Sequence, residues 1–300
     1  MKRIAVTGAS GFIGRHVTEA LAARGDQPIP IPRPFLRSTL ASRFDGCDAV
    51  VHLAGVIAAT RDADFYRANV DGTRVVAEAA ADAGARLIDV SSLAAAGPAS
   101  PASPRTEDDP PAPVNAYGRS KLEGERAVAA VAGLRWTVLR PGVVYGPQDR
   151  ALRPLFQYAR RGLAPLVGAP DAAYTFIYIA DAVRAILAGV DRGGDRDVVF
   201  LGHPDPVSPR YLIETIRELA GSRAAILPIP RAITRLAAEL GELSGVVTGR
   251  PATINRRRFA ELYSPGFVCC VDRMKEHLGV TAEVGLRSGL THSAEWYLKS

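Results

Sequence analysis

Residues 4–14 read IAVTGASGFIG, and this stretch decides the fold. Residues 4–7 are apolar or β-branched and predict a short buried strand, which three glycines follow at once in the spacing GxxGxxG. From Ile13 the apolar residues recur at helical spacing until Gly25. A strand, a glycine turn and a helix form the first half of a nucleotide-binding unit. In such a unit glycine lets the backbone approach a pyrophosphate, and the helix N-terminus offers free N–H groups to the anion.

Strands and helices alternate after this turn. Further strands are predicted at 27–31, 48–55, 86–90 and 135–139, with helices at about 62–83 and 117–130. Alternation of this kind predicts an α/β fold with a doubly wound parallel sheet of the Rossmann type. His52, in one of these strands, is expected to pack inside the sheet rather than to act as a catalyst.

The regular alternation ends at Gln148. Helices are then predicted at 150–161, 179–190, 209–220, 231–241, 252–262 and 285–298, with short strands at 175–178, 197–201 and 224–227. We therefore predict a dinucleotide-binding domain made of residues 1–148 and about 175–203. A smaller, mostly helical substrate-binding lobe is predicted from about 149–174 and 204–300.

The composition is that of a globular protein that binds small ligands. Lys and Arg number 37 against 31 Asp and Glu, and the resulting charge of +6 suits anionic small molecules. The basic residues are scattered, and their one run, Arg256 to Arg258, is expected to be a solvated helix face. The 3 cysteines lack disulfide or metal spacing, and no stretch approaches the ~20 apolar residues that span a bilayer. We expect a cytoplasmic protein without a metal and without a nucleic-acid or membrane partner.

Tyr117 and Lys121 share one face of a predicted helix, because they lie at positions i and i+4. A cation beside a phenol favours the phenolate, so such a pair can exchange a proton with a carbonyl or alcohol oxygen. Ser92 follows the strand at 86–90, and its hydroxyl can polarise the same oxygen. Ligands of such sheets bind at the carboxyl ends of the strands. With a nicotinamide, these groups predict hydride transfer at a carbonyl or secondary alcohol.

At these residues the chain resembles the extended short-chain dehydrogenase/reductase family, also called the NAD-dependent epimerase/dehydratase family. The resemblance covers nearly the whole chain through TGASGFIG at 7–14, DAVVHLAG at 48–55, NVDGT at 69–73, SSLAAAG at 91–97, NAYGRSK at 115–121, RPGVVYGP at 140–147 and YTFIYIADAVRAI at 174–186. It implies a Rossmann-type fold and an NAD(P)-dependent oxidoreductase. It also implies a homodimer that pairs through the helices at 62–83 and 115–130.

The resemblance implies three catalytic residues, with Ser92 at the substrate oxygen, Tyr117 as the acid/base and Lys121 at the nicotinamide ribose. It also implies cofactor contacts along the carboxyl edge of the sheet. These fall on Gly8, Ser10, Gly11, Phe12, Ile13, Gly14, Leu53, Ala54, Gly55, Asn69, Ser91, Tyr117, Lys121 and Pro141.

Arg33 lies at the end of the second predicted strand, where no Asp or Glu is present. An acid at this place binds the ribose diol of NAD, whereas an arginine accommodates the 2′-phosphate of NADP. Arg33, together with Arg37, therefore favours NADP, with NAD as the alternative. The family commonly has a further strand after this point. Because only residues 34–45 are available here, that element is expected to be shortened or missing.

The substrate side departs from the sugar-nucleotide branches of the family. Leu93 and Ala94 stand where the dehydratases carry an Asp-Glu pair, so a 4,6-dehydratase is not expected. Residues 141–144 lack the asparagine with which many epimerases hold a substrate diphosphate. Both departures favour a reductase of a smaller or more apolar carbonyl compound. A nucleotide-sugar 4-epimerase or 4-reductase, and a non-catalytic dinucleotide-binding subunit, are the alternatives.

Overall fold

A six-stranded parallel sheet forms the centre of the protein, which a computed structural model describes over residues 1–299. Its strands are β1 (Arg3–Thr7), β2 (Gln27–Ile31), β3 (Ala49–His52), β4 (Arg86–Val90), β5 (Trp136–Pro141) and β10 (Asp197–Leu201). They lie in the order β10-β5-β4-β3-β1-β2. The chain passes from β2 at one side of β1 to β3 at the other, so the switch point of the sheet lies between β1 and β3. The α/β prediction of Rossmann type is confirmed.

Helices cover both faces of this sheet, as expected for parallel strands. They are α1 (Phe12–Ala23), α2 (Arg37–Phe44), α3 (Asp62–Tyr66), α4 (Gly72–Asp82), α5 (Ala116–Ala129) and α7 (Ile179–Arg192). Alternate strand residues point to opposite faces. Val6 and Val51 pack with α1 and α7, whereas Ala5 and Val50 pack with α2, α4 and α5. Two apolar cores therefore fix the strands, and the carboxyl ends of β1, β3, β4 and β5 meet at one edge.

The remaining elements follow β5 along the chain. The strands are β6 (Val143–Tyr145), β7 (Ala164–Leu166), β8 (Ala173–Tyr174), β9 (Phe176–Tyr178), β11 (Ile226–Pro228) and β12 (Gly266–Phe267). The helices are α6 (Arg153–Arg160), α8 (Pro209–Leu219), α9 (Arg231–Thr248), α10 (Arg256–Leu262), α11 (Asp272–Leu278) and α12 (Leu286–Lys299). Strand pairs β6 with β9, β7 with β11 and β8 with β12 form small parallel sheets. A third core, which includes Tyr145, Phe156 and Tyr297, lies among α6, α8 and α12.

Between β2 and β3 the described chain holds no strand, which agrees with the shortened segment expected there, but it holds the helix α2, which the sequence did not indicate. A second local difference has a clear cause. Helix α9 was predicted to stop at Gly241 but continues to Thr248. A Cβ at Gly241 would lie 2.0 Å from the Ile254 oxygen, so this glycine allows a close chain approach rather than ending the helix. Within residues 1–299, no helix combines the length and apolar character needed to cross a bilayer.

Candidate active site

Tyr117 lies in the first turn of α5, at the carboxyl edge of the sheet. Asn115 caps this helix, since its Oδ1 accepts a 2.9 Å hydrogen bond from Gly118 N. The half-buried Tyr117 ring packs against Phe65, with 6.0 Å between the ring centroids. Its hydroxyl makes no hydrogen bond to any residue between 1 and 299, so the phenol is free to contact a ligand.

Lys121 reaches the sheet from the same helix face as Tyr117. Its side chain is buried, and Nζ donates a 3.0 Å hydrogen bond to the Val90 oxygen at the end of β4. An ammonium carries three N–H donors, so two are left for ligand oxygens. The Val90 contact fixes α5 against the strand that leads into Ser91 and Ser92. The structure thus brings the predicted Tyr117, Lys121 and Ser92 to one edge of the sheet.

Ser91 and Ser92 follow β4 and have different partners. Ser92 caps the 3₁₀ turn Leu93–Ala95, where its Oγ accepts a 3.2 Å hydrogen bond from Ala94 N and keeps its own proton available. The Ser91 hydroxyl instead donates to Glu125, which forms a buried ion pair of 2.6 Å with Arg140. Because Glu125 takes up that hydroxyl, the side chain of Ser91 supports the strand end rather than offering a free donor to a cofactor.

The glycine turn between β1 and α1 fits a pyrophosphate. Gly8 has a φ of +71°, and a Cβ at Gly14 would lie 2.1 Å from the Gly8 oxygen. Gly11 precedes α1, and no side chain of residues 1–299 caps the helix start. The first N–H groups of a helix have no partner inside it, so those of Phe12 and Ile13 can bind an anion. The Ser10 side chain is exposed beside the turn. This backbone geometry suits a dinucleotide phosphate.

The loop that follows β3 is held by Asn69. The Asn69 side chain is buried, and Oδ1 accepts a 2.8 Å bond from Val56 N while Nδ2 donates to the Val56 oxygen at 3.0 Å. Nδ2 also donates to Ser120 Oγ at 2.9 Å. Asn69 lies in a π-helical turn, Arg67–Asp71, between α3 and α4. It therefore joins the loop carrying Leu53, Ala54 and Gly55 to the Tyr117 helix. Pro141 ends β5 at the same edge.

Arg33 and Arg37 lie in different environments. Arg33 is exposed just after β2, with its guanidinium carbon 5.7 Å from the Phe35 ring centroid, and it has no ion pair within residues 1–299. Arg37 binds Asp82 at 2.8 Å and Glu78 at 3.2 Å on α4. The expectation that Arg37 assists Arg33 is therefore not supported, because two carboxylates already hold its guanidinium.

Two titratable residues lie buried behind the site. His52 shares hydrogen bonds with Thr7 Oγ1 at 2.7 Å and Thr73 Oγ1 at 3.1 Å, and burial lowers its pKa to about 3. It is a neutral packed residue, as predicted. The sequence analysis missed Asp89, which pairs in register with His52 on β4. Burial raises the pKa of Asp89 to about 6, while the charge of Lys121 opposes that rise. The sequence signal that could have identified Asp89 is an acidic residue within a strand of mostly apolar residues.

Helix α10 connects the C-terminal part of the chain to the site, and no motif in the sequence pointed to this. Asn115 Nδ2 donates a 2.7 Å hydrogen bond to Glu261 Oε1. Arg257 binds Asp62 at 2.7 Å and the Ala59 oxygen at 2.9 Å. The predicted solvated face at 256–258 is thus wrong for Arg257, whose side chain is only 19% exposed. Its contacts hold α10 over the loop that follows β3.

Known proteins resemble this chain along most of its length. A model described as the NAD dependent epimerase/dehydratase family matches residues 4–202. Ceramide reductase of Caulobacter vibrioides is 30% identical, over 98% of this chain and 94% of that protein. The 4-hydroxy-2-methyl-3-oxo-4-farnesyl-3,4-dihydroquinoline-1-oxide ketoreductase of Stigmatella aurantiaca is 32% identical, over 80% of each chain. The solved structure of MoeE5 in complex with UDP-glucuronic acid and NAD is 26% identical over 99% of both chains, with a TM-score of 0.78.

Proposed function

Because the protein belongs to the NAD dependent epimerase/dehydratase family, we propose that it reduces a ketone carried by a long apolar molecule. It is an NAD(P)-dependent enzyme of the extended short-chain dehydrogenase type. The observation that supports the reductase chemistry is the contact of Lys121 with the Val90 oxygen, at 3.0 Å. This contact holds α5, which carries Tyr117, against the strand that leads into Ser92.

Each side chain of the site has one role in this reaction. A bound nicotinamide dinucleotide supplies the hydride. Tyr117 gives its hydroxyl proton to the ketone oxygen, which becomes an alcohol, and Ser92 donates a hydrogen bond to the same oxygen. Lys121 has two free N–H donors for the ribose hydroxyls, and its charge stabilises the phenolate left on Tyr117. The backbone N–H groups of Phe12 and Ile13 hold the pyrophosphate.

The relatives and the local side chains support an apolar substrate. By their names, the relatives from Caulobacter vibrioides and Stigmatella aurantiaca act on a ceramide and on a farnesyl-bearing quinoline. The positions that set the substrate branch hold apolar residues here: Leu93 follows Ser92 and is buried in the core, and the half-buried Val143 and Val144 follow β5. Val56 and Tyr117 pack against one apolar cluster that includes Phe65. None of these apolar side chains can donate a hydrogen bond to a sugar diphosphate.

A nucleotide-sugar substrate is the second candidate. Its support is the likeness to MoeE5, which is solved with UDP-glucuronic acid and NAD. A 4-epimerase oxidises and reduces one carbon and keeps its dinucleotide bound through the cycle, so this candidate predicts a dinucleotide that copurifies.

One experiment separates the two candidates. Oxidation of NADPH and NADH is followed with a series of long-chain ketones and, in parallel, interconversion of UDP-glucose and UDP-glucuronic acid epimers is followed by chromatography. The proposal expects turnover of ketones that increases with chain length and no change in the UDP-sugars. Turnover of UDP-sugars alone would contradict it.

We infer NADP as the preferred cofactor. Arg33 is exposed, is not neutralised by an acid among residues 1–299, and follows the strand next to the glycine turn. A guanidinium at this position suits a 2′-phosphate.

We also infer a homodimer. The outer faces of α4 and α5 line an open groove of about 420 Å³ that includes Arg74, Glu78, Glu123 and Arg126. Charges of both signs on one face suit pairing with a second copy.

We further infer that two parts of the chain have different tasks. Residues 1–148 and about 175–203 are assigned to cofactor binding, and about 149–174 and 204–300 to substrate binding. We also infer a cytoplasmic location, because the free cysteines Cys47, Cys269 and Cys270 suit a reducing compartment.

A further inference from the structure

Helix α9 presents an apolar face to solvent. Six of its large aliphatic side chains are more than half exposed: Ile233 56%, Leu236 60%, Leu240 60%, Leu243 62%, Val246 72% and Val247 78%. We call these six residues the α9 face. The opposite side of the helix is packed through small residues, namely Thr234, Ala238 and Gly245. The helix thus turns its small residues inward and its large apolar residues outward, the reverse of an ordinary surface helix.

The α9 face is broad. At 3.6 residues per turn, the six side chains together with Ala232 and Ala237 cover about 180° of the helix circumference, and Glu239 and Ser244 are the polar residues between them. A helix that pairs with one other helix needs only a narrow strip of apolar residues. A broad face instead suits a surface that surrounds half of the helix, such as the boundary between lipid headgroups and acyl chains.

The exposed unpaired charges beside the α9 face are positive. Arg235 lies on α9 and Arg250 just after it, and both are exposed without an ion pair within residues 1–299. The acid Glu239 is neutralised by Arg256, with 2.7 Å between Arg256 Nε and Glu239 Oε2. Glu242 also has no ion pair within residues 1–299, but it is only partly exposed and its Oε2 is buried. An apolar face bordered by unpaired arginines complements a membrane that contains anionic lipid.

The α9 face lies near the Tyr117 end of the molecule. Gly245 approaches Thr60, since a Cβ there would lie 3.6 Å from Thr60 Cγ2. Thr60 belongs to the loop between β3 and α3, the loop that Arg257 of α10 also binds. Helix α9 therefore packs on the loop that borders the proposed site through the side opposite the α9 face.

We propose that the α9 face lies in the headgroup region of a membrane containing anionic lipids and holds the enzyme on its surface. Charged side chains at residues 231, 235, 239 and 242 keep the helix in the plane of the interface rather than across it. This proposal departs from the expectation of no membrane partner, which considered only spanning segments. It goes beyond the proposed reaction, because it rests on α9 and needs no particular substrate.

Vesicle flotation tests the proposal without any measurement of turnover. The full chain is mixed with vesicles of equal parts phosphatidylcholine and phosphatidylglycerol, or of phosphatidylcholine alone. The first variant is Leu236→Glu with Leu240→Glu, and a milder second variant is Val246→Ser with Val247→Ser. Leu163→Glu is the matched control, because Leu163 is 47% exposed but lies outside the α9 face.

The wild type is expected to float with the anionic vesicles, and less so with phosphatidylcholine alone or at high salt. The Leu236/Leu240 variant should lose at least about tenfold in binding, since two apolar contacts are replaced by anions. Leu163→Glu should bind as the wild type does. A wild type that stays in solution overturns the proposal, as do both double variants floating as well as the wild type. Loss of an oligomer in either double variant, with no flotation of the wild type, would assign the face to a second copy instead.

Discussion

Asn115 Nδ2 donates a 2.7 Å hydrogen bond to Glu261 Oε1, and this contact joins the start of the Tyr117 helix to helix α10 of the C-terminal part. Asn115 has two roles, because its Oδ1 also caps α5 through Gly118 N at 2.9 Å. Glu261 binds Arg258 at 3.1 Å as well. The contact therefore connects α10 directly to the first turn of the helix that carries the proposed acid.

Glu261→Ala should lower both stability and turnover, because it removes the acceptor of this bond but leaves the helix cap intact. A hydrogen bond to a charged group contributes about 1.5–3 kcal/mol, so the unfolding temperature should fall by several degrees. Glu261→Gln is the control, since an amide oxygen still accepts from Asn115. Thermal unfolding and steady-state kinetics measure both effects. An alanine variant indistinguishable from wild type would show that the contact transmits nothing.

Arg33→Ala should weaken NADP binding about 10- to 100-fold and leave NAD binding almost unchanged, because the guanidinium would contact only the 2′-phosphate. Arg37→Ala is the matched control, since Asp82 and Glu78 already hold Arg37. Titration of each dinucleotide by fluorescence measures the affinities. Equal losses for NADP and NAD, or a larger loss in the Arg37 variant, would refute the assignment of the phosphate to Arg33.

Ser92→Ala should lower kcat by about 10²–10³, the usual effect of removing one donor at a reacting oxygen. Ser92→Thr keeps a hydroxyl and should recover most of the activity. Dinucleotide affinity should be the same in all three proteins, because the Ser92 hydroxyl is assigned to the substrate. If Ser92→Ala loses cofactor affinity and keeps kcat, its hydroxyl serves the dinucleotide instead.

Asp89→Asn should change how stability depends on pH. Burial raises the pKa of Asp89 from 3.8 to about 6. A raised carboxyl pKa gives stability that is present at low pH and lost as pH rises towards 6. Asparagine does not titrate, so the stability of the variant relative to wild type should rise by about 2–3 kcal/mol from about pH 4 to about pH 7.

Asp82→Asn is the control for this measurement. The hydrogen bond from Arg37 lowers the pKa of Asp82, so that residue contributes stability above its usual pKa and loses it as pH falls. Relative to wild type, the Asp82 variant should therefore lose stability as pH rises towards the usual pKa of 3.8, the opposite direction, and should change little from about pH 4 to about pH 7. Unfolding temperatures between about pH 2 and about pH 7 measure both effects. A difference between Asp89→Asn and wild type that does not change with pH would show that Asp89 titrates normally.

The sequence predicted the parts of the fold that local signals determine. Strands at 27–31, 86–90 and 197–201 have the predicted limits, because each is a short run between turn residues. The short strands β6, β7, β8 and β12 and the helices α2 and α11 were missed, because 2–8 residues give too little periodicity. The length of α9 was underestimated because a glycine inside a helix and a glycine at its end look alike in sequence.

The sequence also predicted that the main site residues lie near one another. The motifs that carry them follow successive strands, and the carboxyl ends of these strands meet at one edge of the sheet. The sequence could not show that Ser91 donates to Glu125 or that Arg37 turns to α4, because such partners lie 34 and 45 positions away. It also could not show the contact of Asn115 with Glu261, which are 146 positions apart. These choices depend on the packing of whole helices rather than on any local pattern.

The roles of Tyr117 and its neighbours are tested most directly by Tyr117→Phe. Binding of NADPH and single-turnover reduction of a long-chain ketone are measured on the same two proteins. The phenylalanine ring keeps the contact with Phe65 and removes only the hydroxyl, so NADPH affinity should be unchanged. Reduction should slow by about 10²–10⁴, the usual loss when a proton donor is removed. A variant that reduces the ketone at the wild-type rate would contradict the account.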